Sequence, residues 1–122
     1  MEDLNEQLAG ESKDKHIFID FYMQKCKWCY YIQDDFNRIE TDAINWYGED
    51  KVAFFKVDGN LIPSIARKYK CAHFPYLIYI APNTGGELGS VFNANPRNYD
   101  TFKQWILDSL KDETPIMTIP GA

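Results

Sequence analysis

No stretch of this sequence is long and apolar enough to cross a bilayer. The longest run free of strongly polar residues, Phe74 to Pro82, falls far short of the ~20 residues that a hydrocarbon core requires, so no membrane partner is expected. Basic residues are too few to attract nucleic acid: 13 Lys and Arg face 18 Asp and Glu, for a net charge of −5, and phosphate backbones are repelled. Cysteine is scarce and odd in number, at three, which excludes a disulfide-dense scaffold. The opening residues, Met1-Glu2-Asp3-Leu4-Asn5-Glu6, lack the apolar segment of a secretory signal. That puts the protein in the cytoplasm if the chain is complete, and in the secretory-pathway lumen or the periplasm if it is a mature or excised domain. Repeats and low-complexity segments are lacking too. What is there is 122 residues, 45% hydrophobic and 16% aromatic, a composition that folds as one monomeric domain spanning residues 1–122 and buries roughly 65% of its surface.

The hydrophobic pattern predicts an α/β sandwich. Residues 1–15 are polar with Leu4 and Leu8 four apart, which reads as a short amphipathic helical extension. His16 to Tyr22 is β-branched and aromatic, a buried strand interrupted by one carboxylate, Asp20. From Cys26, apolar residues recur at helical spacing through Tyr47 and stop at Gly48, with Thr41-Asp42 as a candidate break. Lys51 to Val57 is a second strand closed by Asp58-Gly59-Asn60, and Pro63 opens a short helix. Tyr76 to Ala81 and Leu88 to Phe92 form a hairpin around Pro82-Asn83-Thr84-Gly85-Gly86. Tyr99 to Leu110 is a final amphipathic helix, and residues 112–122 form a loose tail. The order gives a mixed four-stranded sheet flanked by helices, with the first three strands joined by helical crossovers and the last antiparallel.

Chemistry concentrates at Cys26-Lys27-Trp28-Cys29, on a strand-to-helix junction. Positions i and i+3 of a first helical turn face the same way, so the two sulfurs can close a disulfide. The helix N-terminus, with Lys25 and Lys27 on either side, favours a thiolate at Cys26. Cys29, one turn in, is suited to resolve a mixed disulfide. Asp20, six residues before Cys26, is placed to lie under Cys29 with a raised pKa and to move the resolving thiol's proton. Phe74-Pro75 cannot continue a helix, and a cis bond there would leave backbone groups free for an extended peptide. Trp28 offers contact area. Cys71 reads as a small buried hydrophobe, His73 as a loop residue near the substrate groove, and Tyr22, Tyr30, Phe36 and Trp46 as core.

In order and spacing, Phe18-Ile19-Asp20-Phe21-Tyr22, Cys26-x-x-Cys29, Val57-Asp58, Ala66-Arg67-Lys68-Tyr69 and Phe74-Pro75-Tyr76-Leu77 resemble the landmarks of a thioredoxin-fold domain. The likeness is greatest to the catalytic domains of thioredoxins and protein disulfide isomerases, over roughly residues 16–110. It implies a thiol-disulfide oxidoreductase with Cys26 as nucleophile, Cys29 as resolving thiol, Asp20 assisting and Pro75 cis. Trp28, Lys27, Phe74, Pro75 and Tyr76 then line the substrate site. The redox-active disulfide is the sole cofactor, and the partners are protein thiols or disulfides with a reductase or oxidant donor. The sequence departs from the pattern in five places. Lys25 replaces the usual Trp, Trp28 sits inside the motif, the strand lysine of reductases falls at Phe54, Tyr76 stands where a Thr or similar residue follows the proline, and residues 1–15 are too few for the usual first strand plus helix. Two other classes fit the same residues: a redox-silent binding domain using the Pro75 edge, and a metal module using Cys26, Cys29, Cys71 and His73, although the one-residue gap between the last two is poor ligand spacing.

Overall fold

The computed structural model describes residues 13–61 and 63–121. Its elements are β1 (His16–Tyr22), α1 (Lys27–Tyr47), β2 (Val52–Asp58), α2 (Pro63–Lys68), β3 (Tyr76–Ile80), β4 (Leu88–Val91) and α3 (Tyr99–Ser109). They build one mixed sheet in the order β2-β1-β3-β4. The expected N-terminal helix falls on residues 1–12, outside the described residues, while 13–15 form a turn and bend. Among the described residues no strand precedes β1.

β1 runs parallel to β2 but antiparallel to β3, which corrects the expectation that the first three strands share a direction. β3 starts at the end of the sheet where β2 stopped, with Tyr76 beside Phe21, and runs back from there along β1.

Strand alternation divides the core. Ile17, Ile19 and Phe21 point to the layer holding Ile65 and Tyr69, and Phe18 points to the opposite layer with Ile32, Phe36, Ile39, Phe102 and Ile106 of α1 and α3. Asp20, two residues beyond Phe18, therefore faces the α1 layer. α1 runs unbroken past Thr41-Asp42. The Thr41 hydroxyl donates to Asn37 O inside the helix, and Asp42 accepts from the Tyr99 hydroxyl of α3. Gly48, at φ +98°, caps α1 with its N–H on Ile44 O. Phe36 and Trp46 are core as expected, but Tyr22 is only half-buried and Tyr30 is 72% exposed.

The tail is not loose. Ile116 N–H donates to Trp46 O at 2.7 Å, Ile119 is buried in the α1–α3 cluster, and His16 joins Tyr79 Oη at 2.6 Å and Glu113 Oε2 at 2.9 Å. His16 holds the Glu113 carboxyl below its ordinary pKa, chiefly through that hydrogen bond. A backbone hydrogen bond from Ile116, the buried Ile119 and a buried imidazole fix the segment to the end of the sheet away from the cysteines.

Candidate functional site

β1 ends at Tyr22, and three residues carry the chain to Cys26, the N-cap of α1. Lys25 makes the turn in the left-handed region, at φ +62°. Cys26 is extended, at φ −89° and ψ 110°. Its carbonyl accepts the first helical hydrogen bond from Tyr30 N–H at 3.1 Å. Its Sγ accepts the Cys29 N–H at 3.1 Å, the place a capping oxygen normally takes. A sulfur so held sees the exposed N–H groups of the first turn. Cys26 and Cys29 are joined as a disulfide with Cα atoms 5.2 Å apart, within the normal range. Cys26 is half-buried and Cys29 is buried.

A cavity of about 610 Å³ opens beside the pair, and Asp20, Cys26, Cys29, Tyr30, Tyr31 and Lys56 line it with five further residues. Asp20 is buried, and its Oδ1 has no hydrogen-bond partner within the protein. Desolvation raises its pKa from 3.8 to about 6, against the opposing charge of Lys56. The carboxyl therefore exchanges its proton near neutral pH and meets the cavity that touches both sulfurs. That is the arrangement a proton-transfer group for Cys29 needs.

Lys56 corrects the reading of the strand. With Phe54 at the position of the strand lysine, Asp20 is expected to lack a cationic partner, but the parallel register sets Lys56, two residues further on, beside Asp20 and Phe54 beside Phe18. Phe54 instead packs on Phe18 and Phe36 in the core. Lys56 Nζ donates to Asn37 Oδ1 of α1, and its charge also opposes the raised pKa of Glu40, which burial drives.

The other expected residues divide. Lys27 and Trp28 are exposed on the first turn of α1, Trp28 by 58%. The Phe74–Pro75 bond is cis, with Phe74 half-buried and Pro75 buried. Tyr76 is turned inward, its hydroxyl donating to Tyr69 O at 2.7 Å, so its side chain is core and only its backbone is left for a substrate. Cys71 is half-buried rather than fully buried, with Sγ donating to His73 O at 3.4 Å. Burial pushes its thiol pKa up. His73 is exposed and meets the Tyr76 ring edge-on. The four-ligand metal alternative is not assembled: among the described residues no three His, Cys, Asp or Glu side chains are grouped to hold an ion.

The sequence reading missed Lys56, Tyr30 and Tyr31 as site residues. Strand alternation from Asp20 across the parallel partner was the signal for the first. For the tyrosines it was crowding, because Trp28, Tyr30 and Tyr31 at 100° per residue cannot all face one core.

The thioredoxin family model matches residues 2–108. Among solved structures, the chain is similar to Fasciola hepatica thioredoxin, at 26% identity over 88% of this chain and 92% of that one, with a TM-score of 0.69. A Malassezia sympodialis thioredoxin (Mala s 13) is 24% identical over 88% and 84%, with a TM-score of 0.68. The first thioredoxin domain of mouse protein disulfide-isomerase A4 is 16% identical over 98% and 76%, with a TM-score of 0.70. No curated protein sequence matches the chain.

Proposed function

This chain belongs to the thioredoxin family, a family of thiol-disulfide oxidoreductases, and on that premise we propose that its Cys26/Cys29 pair exchanges disulfides with protein substrates. In the reducing direction the Cys26 thiolate attacks a substrate disulfide, forming a mixed disulfide and expelling one substrate thiolate. Cys29, deprotonated through Asp20, then attacks Cys26 Sγ. The protein disulfide forms, the second substrate thiolate leaves, and two electrons have passed to the substrate. The oxidising direction runs the same steps backwards. A reductase or oxidant of the thiol-disulfide class resets the pair, and the disulfide itself is the only cofactor the scheme needs. Lys27, Trp28 and the Phe74–Pro75 segment supply the substrate contact.

One observation carries this reading: a buried carboxyl without a partner borders a cavity shared with a cysteine pair at a helix N-terminus. Cys29→Ser tests it. The variant should accumulate reductant-sensitive adducts between Cys26 and protein disulfides and lose at least a hundredfold in turnover with an added dithiol. Full turnover in Cys29→Ser would rule out the two-cysteine route.

A further inference from the structure

We propose that the cysteine site selects disulfides flanked by acidic residues, with the Lys25, Lys27 and Lys56 ammonium groups attracting the carboxylates and the Trp28, Tyr30 and Tyr31 rings receiving adjacent apolar side chains. This rests on the disulfide-exchange reading and names a substrate class for it.

Charge distribution is the first argument. The chain carries −5, yet the cavity beside Cys26 is lined by three lysines and a single carboxyl, the buried Asp20. Ion pairs among the described residues are His16–Glu113 and Arg38–Asp35, so Lys25 and Lys27 are in no ion pair there, while the charge of Lys56 acts on the buried Asp20 and on Glu40. The second argument is local cost. Lys27 is the first helical residue of α1, and that first turn holds no acid, although the helix dipole favours anions there. Lys25 holds a left-handed conformation, at φ +62°, that glycine adopts freely. Neither choice serves the helix, and both put a cation next to the nucleophile. The third argument is apolar surface. Trp28, Tyr30 and Tyr31 are 58%, 72% and 57% exposed. Their rings meet edge to face, and Lys27 Nζ lies 5.8 Å from the Tyr31 centroid. Aromatic rings beside cations are the composition of a recognition surface. The acidic surface elsewhere repels polyanions, whereas a short acidic segment meets only the local lysines, within one screening length of about 10 Å at 0.1 M salt.

Three peptides of equal length decide the matter, each closed by one disulfide and differing only in whether Glu, Gln or Lys flanks the cysteines. The full-length protein is supplied with dithiothreitol, and each kcat/KM is divided by the rate of that peptide with dithiothreitol alone, which removes intrinsic reactivity. The expected Glu-to-Lys preference is at least tenfold at low ionic strength, and it shrinks toward one near about 0.5 M salt as screening takes over. In Lys25→Gln/Lys27→Gln it should fall to threefold or less. The ratio cancels any general effect of these lysines on Cys26. Should the double variant be inactive, the salt dependence of the unaltered protein decides alone. Equal normalised rates at low salt overturn the acidic class, and a preference that survives the double substitution overturns the assignment to Lys25 and Lys27; either outcome leaves disulfide exchange standing. If no peptide is reduced above the dithiothreitol rate, disulfide exchange falls and the inference falls with it.

Discussion

Burying Asp20 in β1 has a cost that depends on pH. Its folded pKa of about 6 lies above the unfolded 3.8. The carboxyl is therefore protonated in both states at low pH and costs nothing extra there. As pH rises through this interval the unfolded chain ionises first, and stability is lost until the folded group ionises too. Asp20→Asn should thus gain up to about 3 kcal/mol above pH 6 and nothing below pH 3.8, read from urea melts at several pH values. The same variant should slow the Cys29 step at least tenfold. A gain that does not change with pH would mean that packing, not ionisation, sets the cost. Lys25 is a second residue held against its local preference. Lys25→Gly relieves its left-handed backbone and should stabilise the fold by up to about 1 kcal/mol, while lowering the preference for acidic peptides. A loss of stability would show that the Lys25 side chain makes a contact worth more than the relieved strain.

The elements around the site are tied together by a small number of close approaches. Gly59 closes β2, its N–H donating to Tyr22 O at 2.8 Å, and a Cβ added there would collide with the Phe74 ring. Gly59→Ala should push Phe74 and the following Pro75 away from the β1–β2 end of the sheet. Overpacking of this kind costs about 1–3 kcal/mol, and the expected signature is that loss together with slower turnover of peptide disulfides. Normal turnover would place the Phe74–Pro75 segment outside the substrate path. β3 runs back along β1, so its first residue lies at the cysteine end of the sheet beside Phe21.

Across the whole molecule, the two ends of the sheet serve different purposes. The cysteine end holds exposed aromatics, lysines and a buried acid whose Oδ1 has no hydrogen-bond partner, and that acid costs stability. The far end holds the His16–Tyr79–Glu113 network and the anchored tail, which stabilise. Ile119→Ala should therefore cost about 2–4 kcal/mol by thermal or urea melts without changing disulfide exchange at temperatures where the variant is folded. A negligible loss would mean that the tail rests on the surface and does not complete the core.

The sequence by itself determined the strands, the long helix, the cysteine pair at its N-terminus and the anomalous carboxylate. Each is local: period-two or helical spacing, Gly48 as a stop, and one charge within an apolar run are read within a few residues. Only the tertiary structure decided what stands opposite what. Strand register gives Asp20 the neighbour Lys56 rather than Phe54, and β3 pairs antiparallel with β1. The tail finds Trp46 and the core cluster from more than sixty residues away in sequence. Tyr30 lies about 200° around the helix from Ile32 and faces solvent, as helical spacing dictates, whereas the loss of Tyr76 to its bond with Tyr69 O waited on packing. The outcomes left to packing follow from the layers competing for the same side chains, a contest in which local spacing has no vote once two surfaces meet.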